Sequence, residues 1–283
     1  MAEVVFVLHP RVSADDPAIQ RARGVLREHG REVRMIDRDM EGSRADWLSQ
    51  PHGLEGAELA VSFGGDGTFL HAARAAIPAG VPLLGVNLGR LGFLAWVDLE
   101  YAADALGAWA GGRTTTEVRP VLRVRVGDHE TIAVNEAALL KMPDINVVQV
   151  RLAVDGTPAG VLHSDGVIIS TATGSTGYSA SAGGPLLDPR ADAVVVVALN
   201  AHNLASRALV LPQQSVVELT VNEPTRVILD GAEFLDVPAD VAVDCTLDGP
   251  SMKLVRAPGS AGFYEQLRDK MNWGRPLVRE SPR

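Results

Sequence analysis

A glycine-rich turn with a single carboxylate is the stretch of this chain best suited to chemistry. It follows the apolar run 59–63, precedes an alanine-rich segment, and reads Gly64-Gly65-Asp66-Gly67. Its glycines let the backbone adopt positive φ and approach a ligand closely, and amides at the start of the following helix form an anion site. A carboxylate there is costly unless it handles a proton or a metal-bound phosphate. Asp66 is therefore the candidate catalytic residue, with helix capping as the plainer alternative.

A second glycine-spaced segment, 85–94, follows the next predicted strand. Open α/β sheets bind ligands at the carboxyl ends of their strands, so this segment should lie near the first turn. The spacing of Gly85, Gly89 and Gly92 differs from the dinucleotide fingerprint, and no Rossmann cofactor is inferred from it.

Further along the chain, residues 170–185 are dense in small and hydroxylated side chains between two apolar runs. Such residues let amides and hydroxyls converge on a polar ligand, and the Tyr178 ring offers a flat face for a base. The pair Asn135-Glu136 follows a predicted strand and could hold ribose hydroxyls, although such pairs are mostly ordinary surface residues.

Histidines add little to these motifs. His71 lies five residues after Asp66 and is either a phosphate contact or helix surface, while His163 and His202 lie near the other motifs. No role is assigned to His9, His29, His52 and His129. Zinc or calcium ligand spacing and a Walker loop are lacking, so no protein metal site is predicted and any magnesium would arrive on substrate phosphates.

Composition narrows the functional classes. The chain has 283 residues with 26 basic and 35 acidic side chains, a net charge of -9, which argues against nucleic acid or an anionic membrane as partner. No apolar run has the ~20 residues of a membrane span, and the N-terminus is unlike a signal peptide. The single cysteine, Cys245, reads as a buried structural thiol, so the expected location is cytoplasmic.

The pattern of hydrophobic residues predicts two domains of different architecture and a C-terminal tail. Continuous apolar runs at 4–8, 59–63 and 81–86 alternate with helical spacing, as in an α/β domain with a parallel sheet over residues 1–112. Residues 113–258 alternate apolar and polar positions between Asp-Gly and Gly-Asp turns, which predicts a β-rich, sandwich-like domain. Helical spacing returns in 259–283, a tail expected to pack on the first domain.

Taken in order, these motifs resemble NAD kinases. The resemblance covers most of residues 59–212, with a further match at 264–274. It implies transfer of a phosphoryl group from ATP or polyphosphate, with Mg²⁺ carried by ATP, to the 2′-hydroxyl of the adenosine ribose of NAD, which gives NADP. It also implies an NAD site between the two domains that a neighbouring subunit completes, in a homodimer or homotetramer.

The resemblance assigns roles to individual positions. Asp66 matches the catalytic base. The phosphate-binding positions are Gly64, Gly65, Gly67, Thr68 and His71. The NAD-binding positions are Asp66, Gly67, Phe93, Asn135, Glu136, His163, Asp165, Thr173, Thr176, Tyr178 and Ser181, of which Asp165 is expected to reach the nicotinamide end across a subunit boundary.

Two departures from the family pattern stand out. Gly177 replaces the usual alanine before Tyr178, which predicts retained catalysis with altered affinity for NAD. Residues 198–204 match the family only loosely. The competing functions are a lipid or sugar kinase with the same Gly-Gly-Asp-Gly turn, and a nucleotide-binding sensor without activity.

Overall fold

The computed structural model describes residues 2–37, 53–89, 92–203 and 205–274. Residues 37–56 are polar with Gly, Pro and Ser interspersed, which predicts a loop or short helix. Most of this segment, with His52, lies outside the described residues, as do Arg90, Leu91 and Leu204. The helices are α1 (Pro17–Glu28), α2 (Asp66–Ala76), α3 (Ala102–Ala110), α4 (Tyr178–Ser181) and α5 (Phe263–Met271). Short 3-10 helices cover Leu99–Tyr101 and Thr173–Thr176.

The strands fall into an early and a late group. The early strands are β1 (Glu3–Leu8), β2 (Glu32–Asp37), β3 (Ala57–Phe63), β4 (Leu83–Asn87), β5 (Val97–Asp98), β6 (Thr115–Pro120), β7 (Leu122–Val126), β8 (His129–Ala133) and β9 (Glu136–Lys141). The late strands are β10 (Val148–Val154), β11 (Thr157–Ser164), β12 (Gly166–Thr171), β13 (Ala193–Leu199), β14 (Leu209–Pro212), β15 (Val217–Val221), β16 (Thr225–Leu229), β17 (Glu233–Val237), β18 (Ala242–Thr246) and β19 (Ser251–Arg256).

The first sheet has the order β2-β1-β3-β4-β19-β6 within the described ranges, with β5 beside β4. Strands β1 to β4 are parallel, as predicted, and their continuous apolar runs are buried because helices cover both faces. Phe6 packs with α1 and α3 on one face, and Val5 packs with α2 on the other. The sheet is nevertheless mixed, since β19 pairs with β6 in antiparallel fashion.

The β-rich part forms a sandwich. In the portion of the chain that the structure describes, one sheet has the order β11-β10-β15-β18-β7-β8 and the other β14-β13-β12-β9-β16-β17. Val124 and Val150 from the first sheet share one core with Leu139 and Ile169 from the second. The predicted α/β domain and β-rich domain are therefore both confirmed. The β-rich domain forms because alternate residues of its strands face inward and pack between the two sheets.

Two further expectations concern the burial of the single cysteine and the presence of membrane-spanning helices. Cys245 is buried in this sandwich core, and burial raises the pKa of its thiol to about 12, as suits a structural cysteine. None of the helices in the described residues combines the length and the apolar character needed to cross a membrane.

Candidate active site

The glycine turn lies where parallel strands end. β3 stops at Phe63 and α2 begins at Asp66, so the turn sits at the carboxyl edge of the first sheet. Gly64, Gly65 and Gly67 do not have positive φ, and the expectation that they would is wrong. Gly64 is required by packing instead, because a Cβ there would overlap the buried Thr68 side chain. A Cβ on Gly65 or Gly67 would meet open space, which leaves both backbones accessible to a ligand.

The Asp66 carboxylate is held by the segment that follows β4. Its Oδ2 accepts a hydrogen bond from the Phe93 amide at 2.8 Å, and its Oδ1 accepts bonds from the Leu94 and Ala95 amides at 3.0 and 3.2 Å. Gly92 gives the carboxylate room, because a Cβ at that position would overlap Asp66 Oδ1. The two glycine-spaced segments of the sequence thus meet at one carboxylate.

Helix α5 closes over this loop. Gln266 is buried, and its Nε2 donates to the Gly92 carbonyl at 3.0 Å. The Phe263 ring lies 6.5 Å from the Phe93 ring, and Lys270 Nζ lies 4.5 Å from the centre of the Phe93 ring. Lys270 Nζ is also 3.9 Å from Asp66 Oδ2. Motif reasoning missed Lys270, because some 200 residues separate it from the turn in the sequence.

An open cavity of about 520 Å³ borders the other side of the turn. Gly65 contributes from the end of β3, Asn87 and Gly89 from the end of β4, and His9 and Arg11 from the end of β1. His9 was assigned no role from the sequence, yet the parallel arrangement brings it to the same edge as Asp66. His71 is partly buried on the second turn of α2.

The Asn135-Glu136 pair is held by a carboxylate that the sequence did not single out. Asp230 Oδ1 accepts bonds from the Asn135 and Glu136 amides at 2.7 and 3.2 Å, and its Oδ2 accepts from the Val134 amide at 3.0 Å. Arg74 of α2 reaches this group, with Nη2 2.8 Å from the Leu229 carbonyl and 3.5 Å from Asp230 Oδ2. The signal in the sequence was Asp230-Gly231, interpreted only as a turn.

Glu136 is almost fully buried beside the hydroxyl-rich segment. Glu136 is 6 % exposed, and its Oε2 has no hydrogen-bond partner among the described residues. Burial, together with the nearby Asp230 charge, raises the pKa of Glu136 to about 7 against an opposing hydrogen bond from the Tyr178 backbone. A Cβ on Gly177 would lie 2.9 Å from Oε2. Gly177 therefore leaves space for this carboxylate.

The remaining residues of that segment lie directly after β12. Thr173 and Thr176 occupy the short 3-10 helix, and Tyr178 and Ser181 begin and end α4. The Thr171 hydroxyl donates to the Val134 carbonyl at 2.8 Å and accepts from the Gly174 amide at 2.9 Å, which ties this segment to the Asn135-Glu136 strand. The Tyr178 ring remains 42 % exposed and accessible for stacking.

His163 and Asp165 are not brought to this place within one chain. Asp165 precedes β12, whose Ser170 pairs with Glu136, so five residues of strand, roughly 16 Å of backbone, separate the Asp165 position from the one that pairs with Glu136. Asp165 instead contacts Lys141 at 2.9 Å and Asn200 at 2.8 Å. Hydrogen bonds from Asn200 and Lys141 hold its pKa below the ordinary value. The His163 carbonyl accepts from the His202 amide at 2.9 Å, so both histidines lie at this second location.

Comparisons with known proteins identify the family of this chain. Residues 5–113 match the ATP-NAD kinase N-terminal domain, and residues 134–256 match the ATP-NAD kinase C-terminal domain. An NAD kinase of Rhodococcus opacus is 35% identical over 94% of this chain and 91% of its own length. The chain belongs to the NAD kinase family. An NAD kinase of Mycobacterium tuberculosis is also 35% identical, over 90% of this chain and 82% of its own length.

Solved structures of similar fold extend over both domains. Yeast NADH kinase complexed with NADH has a TM-score of 0.84 at 19% identity, over 99% of this chain and 90% of the yeast chain. An NAD kinase from Archaeoglobus fulgidus in complex with ATP has a TM-score of 0.73 at 24% identity, over 95% and 97% of the two chains. At these identities the likeness establishes the fold.

Proposed function

We propose that this protein is an NAD kinase that transfers the γ-phosphoryl group of ATP to the 2′-hydroxyl of the adenosine ribose of NAD. The observation that carries the proposal is the position of Asp66, which directly follows Gly65 at the edge of an open cavity and is bound by the loop that bears Phe93. Described amides occupy three of its roughly four lone-pair sites and leave one on Oδ2 for the hydroxyl proton. Asp66 thus acts as the base.

The proposed phosphoryl transfer takes place among the ribose hydroxyl, ATP and the Asp66 carboxylate. The ribose oxygen attacks the γ-phosphorus as its proton passes to Asp66, and the bond from the γ-phosphorus to the bridging oxygen breaks with its electron pair leaving on ADP. A ribose hydroxyl is a poor nucleophile, so positioning and charge neutralisation supply most of the acceleration.

The acceptor site is formed by the residues around Glu136. The unpartnered Oε2 of Glu136 and the adjacent Asn135 side chain suit ribose hydroxyls, and the exposed Tyr178 ring suits the adenine face. We assign the remaining NAD contacts in the same chain to Gly67, Phe93, Thr173, Thr176 and Ser181.

The phosphoryl donor occupies the cavity beside Gly65. The accessible backbones of Gly65 and Gly67 approach its phosphates, and we assign Gly64, Thr68 and His71 to the same side. Mg²⁺ enters as part of the MgATP substrate, where it neutralises the phosphate oxygens. Among the described residues, no group of three or more histidine, cysteine or acidic side chains is arranged to bind a metal. Polyphosphate is the alternative donor.

A second subunit accounts for the remote residues. Asp165 lies roughly 16 Å along the strand direction from the position that pairs with Glu136, and His163 is near the end of β11 two residues before it. These residues therefore reach NAD in a homodimer or homotetramer from the neighbouring chain. We also propose that the chain divides into an α/β domain (1–112), a β-rich domain (113–258) and a C-terminal tail (259–283), and that the protein is cytoplasmic.

Relatives named NAD kinase that align over most of the chain favour this function over a lipid or sugar kinase or an inactive sensor.

The test is a direct assay. Purified protein is supplied with Mg²⁺, NAD and ATP, and NADP is detected with a dehydrogenase that accepts only NADP. Formation of NADP at a rate proportional to enzyme supports the proposal. A yield no higher than the blank without enzyme, in a preparation that binds NAD, would leave the sensor as the better description.

A further inference from the structure

We infer that Lys270, on the C-terminal helix, is a further catalytic residue that contacts the transferring phosphoryl group. The inference rests on the proposed function. Lys270 lies beyond residue 256, where the matched family domains end, and its Nζ is 3.9 Å from Asp66 Oδ2. The ammonium therefore sits at the place where Asp66 receives the ribose proton.

A simple ion pair does not account for this geometry. Charge-assisted hydrogen bonds between nitrogen and carboxylate close to about 2.7–2.9 Å, whereas Lys270 stays 3.9 Å away and makes no hydrogen bond to a described residue. Its Nζ instead lies over the Phe93 ring at 4.5 Å. An ammonium has three donors, and in this position they remain available for a ligand.

Burial makes an additional anion favourable. The Lys270 side chain is 24 % exposed, and burial lowers its pKa although the Asp66 charge opposes that shift. A partly dehydrated cation gains most from a second negative charge, and phosphoryl oxygens next to the Asp66 base provide one.

The helix is attached so that the lysine keeps its position. The Gly262 amide donates to Glu265 Oε2 at 2.7 Å at the start of α5, and the buried Gln266 fixes the next turn to the Gly92 carbonyl. The Leu267 side chain is buried as well. Gly92 immediately precedes the amides that hold Asp66, so base and cation share one support.

In the reaction Lys270 makes and breaks no covalent bond. It stays protonated and donates to γ-phosphoryl oxygens, where negative charge builds up as the ribose oxygen bonds to phosphorus and ADP leaves. The hydroxyl proton passes to Asp66 as before. Lys270 should therefore affect kcat and leave NAD binding unchanged.

The test compares three variants of the full chain. Lys270→Met removes the charge at similar length, Lys270→Arg keeps it, and Arg268→Met is the matched control, since Arg268 lies on the same helix with a side chain 58 % exposed. Turnover with MgATP, the NAD dissociation constant and the thermal midpoint are measured for each. We expect kcat to fall about 100-fold in Lys270→Met, with NAD affinity within about threefold of wild type.

Lys270→Arg should recover part of the loss, and Arg268→Met should match wild type. A kcat for Lys270→Met within about threefold of wild type, or an equal loss in the control, would overturn the inference. Loss of NAD binding together with turnover would assign a structural role and overturn it too. Failure of the wild-type chain to form NADP refutes the proposed function itself, so the two failures are distinguishable.

Discussion

Arg74 and Asp230 form a buried ion pair that joins the helix of the glycine turn to the strands of the proposed NAD site. Their side chains are 5 % and 0 % exposed, and Arg74 Nη2 lies 3.5 Å from Asp230 Oδ2. Asp66 starts the helix that carries Arg74, while Asp230 binds the amides of Asn135 and Glu136. The proposed base and the proposed acceptor site are thereby held in one arrangement, although one lies in the α/β part and the other in the β-rich part of the chain.

Loss of the Asp230 charge should be costly. Asp230→Asn removes the buried negative charge that faces the Arg74 guanidinium and turns an amide group toward the Val134 N–H, so we expect the free energy of unfolding to fall by about 3 kcal/mol. The NAD dissociation constant should rise as well, because the Val134 amide, next to the Asn135-Glu136 pair, loses its acceptor. Urea unfolding and NAD titration measure the two effects.

The control for that change is Arg226→Met on β16, which removes an exposed ion pair with Asp236. An exposed pair contributes less than about 1 kcal/mol. A loss in Asp230→Asn no larger than in this control would contradict the coupling role of the buried pair.

Glu136 should make stability depend on pH. Its folded pKa is raised to about 7 from an ordinary 4.5, so the folded protein binds this proton more tightly than the unfolded chain. The stabilisation is complete below about pH 4.5 and is lost as pH rises through about 7. Relative to Glu136→Gln, wild type should therefore lose up to about 3 kcal/mol of unfolding free energy between pH 5 and 8. Parallel pH curves for the two proteins would contradict the raised pKa.

Gly177→Ala should weaken NAD binding and spare the chemical step. The new methyl would lie 2.9 Å from Glu136 Oε2, so the carboxylate must move from where ribose hydroxyls meet it. We expect the KM for NAD to rise about tenfold, equivalent to about 1.4 kcal/mol, with kcat within about twofold. Gly24→Ala on α1, where a Cβ meets open space, is the control. An unchanged KM, or an equal change in the control, would show that Gly177 does not set affinity.

Local patterns were sufficient to predict much of the fold and part of the site. The runs that became β1 and β3 are buried on both faces, and such strands are recognisable as continuous apolar segments. The turn at Asp66 and the segment around Tyr178 were recognisable because their glycines and hydroxyls are adjacent in sequence.

What the sequence did not predict depends on contacts between distant segments. Strand β19 alternates apolar and polar residues, as it would in either kind of sheet, and its pairing with β4 and β6 follows from tertiary packing. Lys270 carried no local signal and Asp230 carried only that of a turn, because each acquires its role from a partner more than 90 residues away.

The most direct measurement is the turnover of Asp66→Asn with NAD and MgATP. Asparagine can keep the bonds from the Leu94 and Ala95 amides to Oδ1 and loses only the bond from the Phe93 amide, so two of the three bonds should hold the loop and the NAD dissociation constant should stay within about threefold. Without a base on Oδ2, NADP formation should fall by about 1,000-fold. Asp104→Asn, an exposed carboxylate on α3, should behave as wild type. Full turnover by Asp66→Asn would contradict the assignment of Asp66 as the base.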